Sequence, residues 1–131
     1  VGNRDLRYIS GAQENAAREK MQALVAASLP GPHSTIQFFD GLPAMEPTQG
    51  NLRLLQVVNK ETRDMGIGPA VASAPRARGA GDISNIAQYL DCPDGLGASS
   101  SGMHKAEETI NLKEFPLIIQ RTAILLYRLS R

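Results

Sequence analysis

Tryptophan is absent, aromatic residues make up only 5% of the chain, and a single cysteine, Cys92, occurs among 131 residues. One cysteine makes no internal disulfide and no cysteine-based zinc site. It reads as a small buried side chain rather than a nucleophile, and it is compatible with a reducing compartment. So few aromatics leave little platform for stacking single-stranded nucleic acid. Charge of one sign is also lacking: 14 Lys and Arg oppose 13 Asp and Glu, for a net charge of +1. The basic residues are scattered, so electrostatics give no case for a nucleic-acid or membrane-surface partner. The longest apolar stretch, "FPLIIQRTAILLYRL", is interrupted by Gln120 and Arg121 and is too short and polar to span a bilayer. "VGNRDLRYIS" carries charge where a signal peptide needs an apolar run, and no methionine opens the chain. The expectation is a processed or truncated piece.

What is present is ordinary for a soluble globular chain: 42% apolar and 21% charged residues, enough for one modest domain. "DLRYIS" alternates, with Leu6 and Tyr8 opposite Arg7 and Ile9, which predicts a short strand. Ser10 and Gln13 form a capping box ahead of a helix with Ala17, Met21, Leu24 and Val25 on one stripe. "LPGP" should end it, and "STIQFF" reads as a second strand. "DGLPAMEPTQGN" has the composition of a linker and marks a domain boundary.

Beyond it a helix is predicted over 51–65, with Leu54, Leu55, Val58 and Met65 on one face and Gly66 as terminator. "GPAVASA" offers a short strand at best, and "RARGAG" is a basic loop. Asp82 is placed to cap a helix over "ISNIAQYL", with Ile83, Ile86, Ala87 and Leu90 as its apolar face. "DGLGAS" reads as a short buried strand. The last helix, about 114–129, is apolar nearly all round and is expected to pack on more than one side, with Pro116 in its first turn. Helices alternating with strands imply an α/β layer architecture. The second segment supplies few strands to cover its helices, as the edge of a larger domain would.

His104 stands in "GLGASSSGMHKAEETINL", between small-sided residues that let an imidazole approach a metal closely. One histidine is not a zinc site, and spacing alone favours a solvated loop histidine. His33, in "GPHST", reads as a surface residue. "RGAGDIS" departs from a dinucleotide fingerprint, with Ser84 at the last glycine position and no strong strand before it. Gly79 and Gly81 could instead offer backbone N–H groups to a substrate anion, or simply form a turn. "GASSSG" does not match a nucleophile elbow at Ser99. Arg7 could fork onto a carboxylate, although a solvent-facing strand arginine is the favoured reading from the residues alone. Glu107 and Glu108 could support His104 or form a solvated acidic turn.

Taken in order, "DLRY" with its capped helix, "RGAGDISNIA", "GLGASSSGMHKAEETINL" and the apolar terminal helix resemble the C-terminal half of the glutamate carboxypeptidase and aminoacylase family of dinuclear zinc metallopeptidases. The resemblance covers nearly the whole chain. It implies an α/β fold: residues 1–48 as the second half of a ferredoxin-like lid (dimerisation) domain, and 49–131 as the C-terminal part of a phosphorylase/hydrolase-like zinc peptidase domain. It implies His104 as the last ligand of a two-zinc site, Arg7 as a lid arginine for a substrate carboxylate, and Gly79 and Gly81 as a loop of backbone donors to substrate. The implied partners are a small peptide or N-acyl amino acid, a second copy through the lid, and an upstream half of the same protein. Nucleic acid and membrane are not among them.

Two positions depart from the family: Lys105 where Ser or Thr usually follows the histidine, and Leu42 where some members carry a second lid arginine. The remaining metal ligands and the general base, which precede the lid in the family, are not in this sequence. The chain alone is therefore expected to be inactive. The alternative is a non-catalytic fragment or inactive homologue that acts as a dimerisation or ligand-binding module.

Overall fold

A computed structural model describes residues 2–27 and 30–131. The described residues form a small mixed α/β arrangement of three helices and one two-stranded sheet. They divide into two contact-dense units, Val1–Pro47 with Ser73–Leu90, and Thr48–Ala72 with Asp91–Arg131. The first break falls in the proline-rich linker, next to the boundary at 48/49, but Ser73–Leu90 groups with the first unit. No helix among the described residues is long and apolar enough to cross a membrane.

The first unit is built on α1 (Gly11–Ala26). Its capping box forms as expected: Gln13 N–H donates to Ser10 Oγ at 3.2 Å, and Gln13 Oε1 accepts the Ile9 N–H at 3.1 Å. Such a cap stabilises a helix start by about 1 kcal/mol. Glu46 Oε1 adds a third acceptor, taking the Gly11 N–H at 3.0 Å. The helix ends with Ala27 at its C-cap. The expected breaker "LPGP" includes Leu29, which lies outside the described residues. No α1 residue is fully buried, and Leu24 of the predicted stripe is 67% exposed.

Arg18 supplies much of what holds this unit. It pairs with Glu14 Oε1 at 2.6 Å and with Asp40 Oδ1, and its guanidinium lies 5.2 Å from the Phe38 ring centroid. "DLRYIS" and "STIQFF" are not strands: neither joins a ladder among the described residues. Their alternation sets a face, but a strand also needs a neighbour for its backbone groups.

The stretch 82–90 also departs from expectation. Instead of an α-helix it forms a 3-10 turn, Asp82–Asn85, and then irregular turns. Gly81, not Asp82, occupies the cap position, and no side chain caps it. The Asn85 and Gln88 side-chain amides donate to the Asp82 and Asn85 carbonyls, which competes with a regular helical ladder. Ile86 and Leu90 are left exposed.

The second unit pairs α2 (Gln49–Asp64) with α3 (Phe115–Leu129). α2 starts two residues earlier than predicted because Thr48 caps it, its Oγ1 accepting the Asn51 N–H at 3.0 Å. Its end matches the prediction. Gly66 adopts a φ of 70°, Gly66 N–H donates to Arg63 O, and Ile67 N–H donates to Thr62 O at 2.8 Å. That bond pair is a Schellman cap, which needs the left-handed residue that glycine supplies. Val58 of α2 is 1% exposed, and Leu125 of α3 is the other buried apolar side chain of the described residues. Burying one such side chain contributes about 1.5–3 kcal/mol.

Beside this small core Glu61 is buried, with Arg128 Nη1 at 2.9 Å from Oε1 and 2.8 Å from Oε2. Arg128 also reaches Asp64 Oδ2 at 2.7 Å. α3 is not enclosed on several sides as its composition predicts: Ile119 is 54% exposed and Leu126 64%.

The sheet is one short hairpin of β1 (Ser100–Ser101) and β2 (Thr109–Ile110). The strands are antiparallel, with Ser100 opposite Ile110 and Ser101 opposite Thr109. Both strands are exposed, so the buried strand expected at "DGLGAS" does not form. "GPAVASA" is likewise irregular.

Candidate functional site

The hairpin decides where His104 stands. Asn111 N–H donates to Ser99 O at 2.9 Å, and the Ser101 and Thr109 hydroxyls lie 2.8 Å apart, so the strand ends are closed from both sides. Gly102 then turns the chain with φ 69°. A Cβ there would press on the Glu107 carbonyl oxygen at 3.3 Å, so the loop packs closest where it has no side chain. His104 follows with φ 64°, the one positive value among the described non-glycine residues. For a residue with a side chain this region costs about 1–2 kcal/mol. Lys105 N–H donates to Gly102 O at 3.0 Å and Glu108 N–H to Lys105 O at 3.2 Å, which hold the turn.

The two glutamates do not orient the imidazole. Glu108 Oε2 accepts the backbone N–H of His104 at 3.2 Å, so this carboxylate closes the turn. Glu107 is exposed. Among the described residues no side chain hydrogen-bonds the His104 ring. The approach to the hairpin is anchored by Arg121, whose Nη2 donates to Leu96 O at 2.7 Å. The arginine that interrupts the apolar helix thus fastens the glycine-rich segment onto it.

The other expected site residues lie in the first unit. Arg7 is exposed and its Nε donates to Asp5 Oδ2 at 3.0 Å. It lines a cleft of about 480 Å³ together with Tyr8, Gln13, Pro75, Arg76 and Arg78. Arg78 is fixed there by a 2.6 Å bond from Nη2 to the Met45 carbonyl. Burial, and next the neighbouring Glu14, push the Tyr8 hydroxyl above its usual range. The cleft wall stops at Arg78, one residue short of Gly79, which is exposed with open space around it. Gly81 is half-buried, and its carbonyl accepts the Ser84 N–H at 2.9 Å. The cleft therefore brings Arg7 to the basic loop that leads into Gly79, while His104 belongs to the second unit. Arg76 and Arg78 were visible in the sequence only as a basic loop; nothing in their spacing joined them to Arg7.

His33 is exposed, as a surface residue should be. Cys92 is half-buried and free, and burial first, then Asp91 and Asp94, raise its thiol above the usual range. A thiol held protonated is a poor nucleophile. Among the described residues no three His, Cys, Asp or Glu side chains gather in a way that could hold a metal ion. One clasp was missed at sequence level. The Asp91 carboxylate lies against Gly50 at the start of α2, receives Thr48 Oγ1 at 2.8 Å, and sits 3.7 Å from Arg53. Its signal was Thr48 three residues before Asn51.

Comparison with protein-family models, with curated proteins and with solved structures gave no significant match.

Proposed function

We propose that these residues are the C-terminal part of a zinc-dependent metallopeptidase or amidohydrolase that cleaves the amide bond of a peptide or N-acyl amino acid. His104 would supply one ligand to a two-zinc site. Arg7, Gly79 and Gly81 would form part of the substrate pocket. The observation that carries the reading is the presentation of His104. Its side chain is exposed on a closed hairpin turn, at a left-handed backbone angle that costs energy for a residue with a side chain. The "GLGASSSGMHKAEETINL" pattern supports it from the sequence side.

The described residues do not fit a complete zinc site, since no three His, Cys, Asp or Glu side chains gather among them in a way that could hold a metal ion. The zinc pair and the general base of this reading come from outside these residues, and no catalytic step is assigned to this chain. The exposed apolar side chains of α3 support a further layer of the same protein against that helix.

A non-catalytic role as a dimerisation module is the second reading. It is favoured by the exposure of Leu24, at 67%, and Phe39, at 81%, in the first unit, the part assigned to the lid.

The experiment uses the longest natural polypeptide that contains these residues. Bound zinc and hydrolysis of dipeptides and N-acetyl amino acids are measured for the parent and for His104→Ala. Loss of zinc together with at least a hundredfold loss of hydrolysis is expected. Unchanged zinc content and rate would remove His104 from the site. Absence of zinc and hydrolysis in the parent would leave the dimerisation reading, which sedimentation then tests.

A further inference from the structure

We propose that the first unit carries an oxyanion site in the cleft walled by Arg7, Arg76 and Arg78, suited to a small ligand with two or more negative charges, such as a phosphate or a polycarboxylate. The three arginines line one cleft of about 480 Å³, a volume that admits a small molecule. No carboxylate lines it among the described residues. Only Arg7 has an acidic partner, Asp5, and that pair is largely exposed and weak. Arg78 spends one nitrogen on the Met45 carbonyl, an uncharged acceptor that fixes the side chain and leaves its charge uncompensated. Arg76 has no partner among the described residues.

Like charges gathered around a cleft without matching acids raise the local potential, and an anion entering the cleft lowers it. Guanidinium forks match the paired oxygens of carboxylate and phosphate, and each such charge-assisted contact is stronger than a neutral one. A single carboxylate satisfies one fork and leaves the others, so the ligand is one that carries several charged oxygens. Gln13 adds an uncharged polar side chain to the wall, and the Tyr8 hydroxyl is already held by Glu14. The site makes no use of His104; it shares Arg7 with the substrate pocket of the peptidase reading, but it rests on Arg76 and Arg78 as well, and its test needs neither zinc nor hydrolysis.

The test is titration calorimetry of the full 131-residue chain at constant ionic strength, with inorganic phosphate, citrate and acetate. Saturable binding of phosphate or citrate is expected, with acetate about tenfold weaker or more. Which of the two binds tighter assigns the ligand chemistry. Arg76→Gln with Arg78→Gln should lower the affinity at least about tenfold, and Arg76→Gln alone, at an exposed and unpartnered position, should lower it with unchanged circular dichroism. Arg53→Gln in the second unit should leave it unchanged. No saturation with either multianion, equal binding of acetate, or an equal loss in Arg53→Gln would each overturn the proposal.

Discussion

The hydroxyl of Thr48 donates to Asp91 Oδ1 at 2.8 Å while it accepts the Asn51 N–H at 3.0 Å. One side chain therefore caps α2 and ties it to the segment that leads toward the hairpin. Asn51 Oδ1 repeats the tie by accepting the Cys92 N–H at 2.8 Å. Gly50 is buried between these bonds because the Asp91 carboxylate occupies the place of its missing Cβ.

Gly50→Ala is accordingly expected to destabilise the second unit. The added methyl must displace the carboxylate that Thr48 holds, at the cost of that hydrogen bond, about 0.5–1.5 kcal/mol. Urea unfolding followed by circular dichroism measures it. A change below about 0.5 kcal/mol, the usual size for an exposed position, would mean that Asp91 does not lie against Gly50.

Arg128→Leu should lower the unfolding midpoint more than Glu61→Leu with Arg128→Leu together. Removing the arginine alone strands a buried carboxylate, whereas removing both partners leaves two apolar side chains in contact. Thermal melts of the single and double variants decide it. Additive losses would show that the pair does not interact.

Asp64 gives a dependence on pH. Hydrogen bonds from Lys60 first, and from Arg128 next, lower its carboxyl to about 2 from the usual 3.8. A lowered folded-state value favours folding above the unfolded-state value, and that contribution is lost as the pH falls through the folded one. The contact between α2 and α3 should therefore weaken between about pH 4 and pH 2. Asp64→Asn should flatten the profile in that window. Equal slopes for parent and variant would exclude Asp64 as the source.

His104→Gly separates fold from function. Glycine adopts positive φ without the Cβ penalty, so the hairpin should gain up to about 1 kcal/mol. If His104 is a ligand as proposed, zinc bound by the longest natural polypeptide should fall in this variant as is expected of His104→Ala. A loss of stability in His104→Gly would show that the imidazole is a packing element of the loop.

The features legible in the sequence were those set by neighbours along the chain. Ser10 and Gln13 formed their box, Gly66 ended α2, and Pro116 lies in the first turn of α3, because each answers to a local backbone requirement. The strands at "DLRYIS" and "STIQFF" were not legible, since alternation does not say whether a second row of backbone groups lies beside it. The failed helix at 82–90 depended on where the Asn85 and Gln88 amides turned, which composition does not show. At the candidate site, sequence pattern singled out His104 and Arg7, but the pairing of Arg7 with Arg76 and Arg78 spans about seventy residues and only folding reveals it.

Neither unit is one unbroken stretch of chain: the backbone passes from one to the other between Pro47 and Thr48, Ala72 and Ser73, and Leu90 and Asp91. A gene cut at the proline-rich linker would thus deliver an N-terminal product stripped of Ser73–Leu90, including both loop arginines of the cleft. Dissecting this protein into working halves calls for a loop that rejoins Pro47 to Ser73, rather than a stop codon.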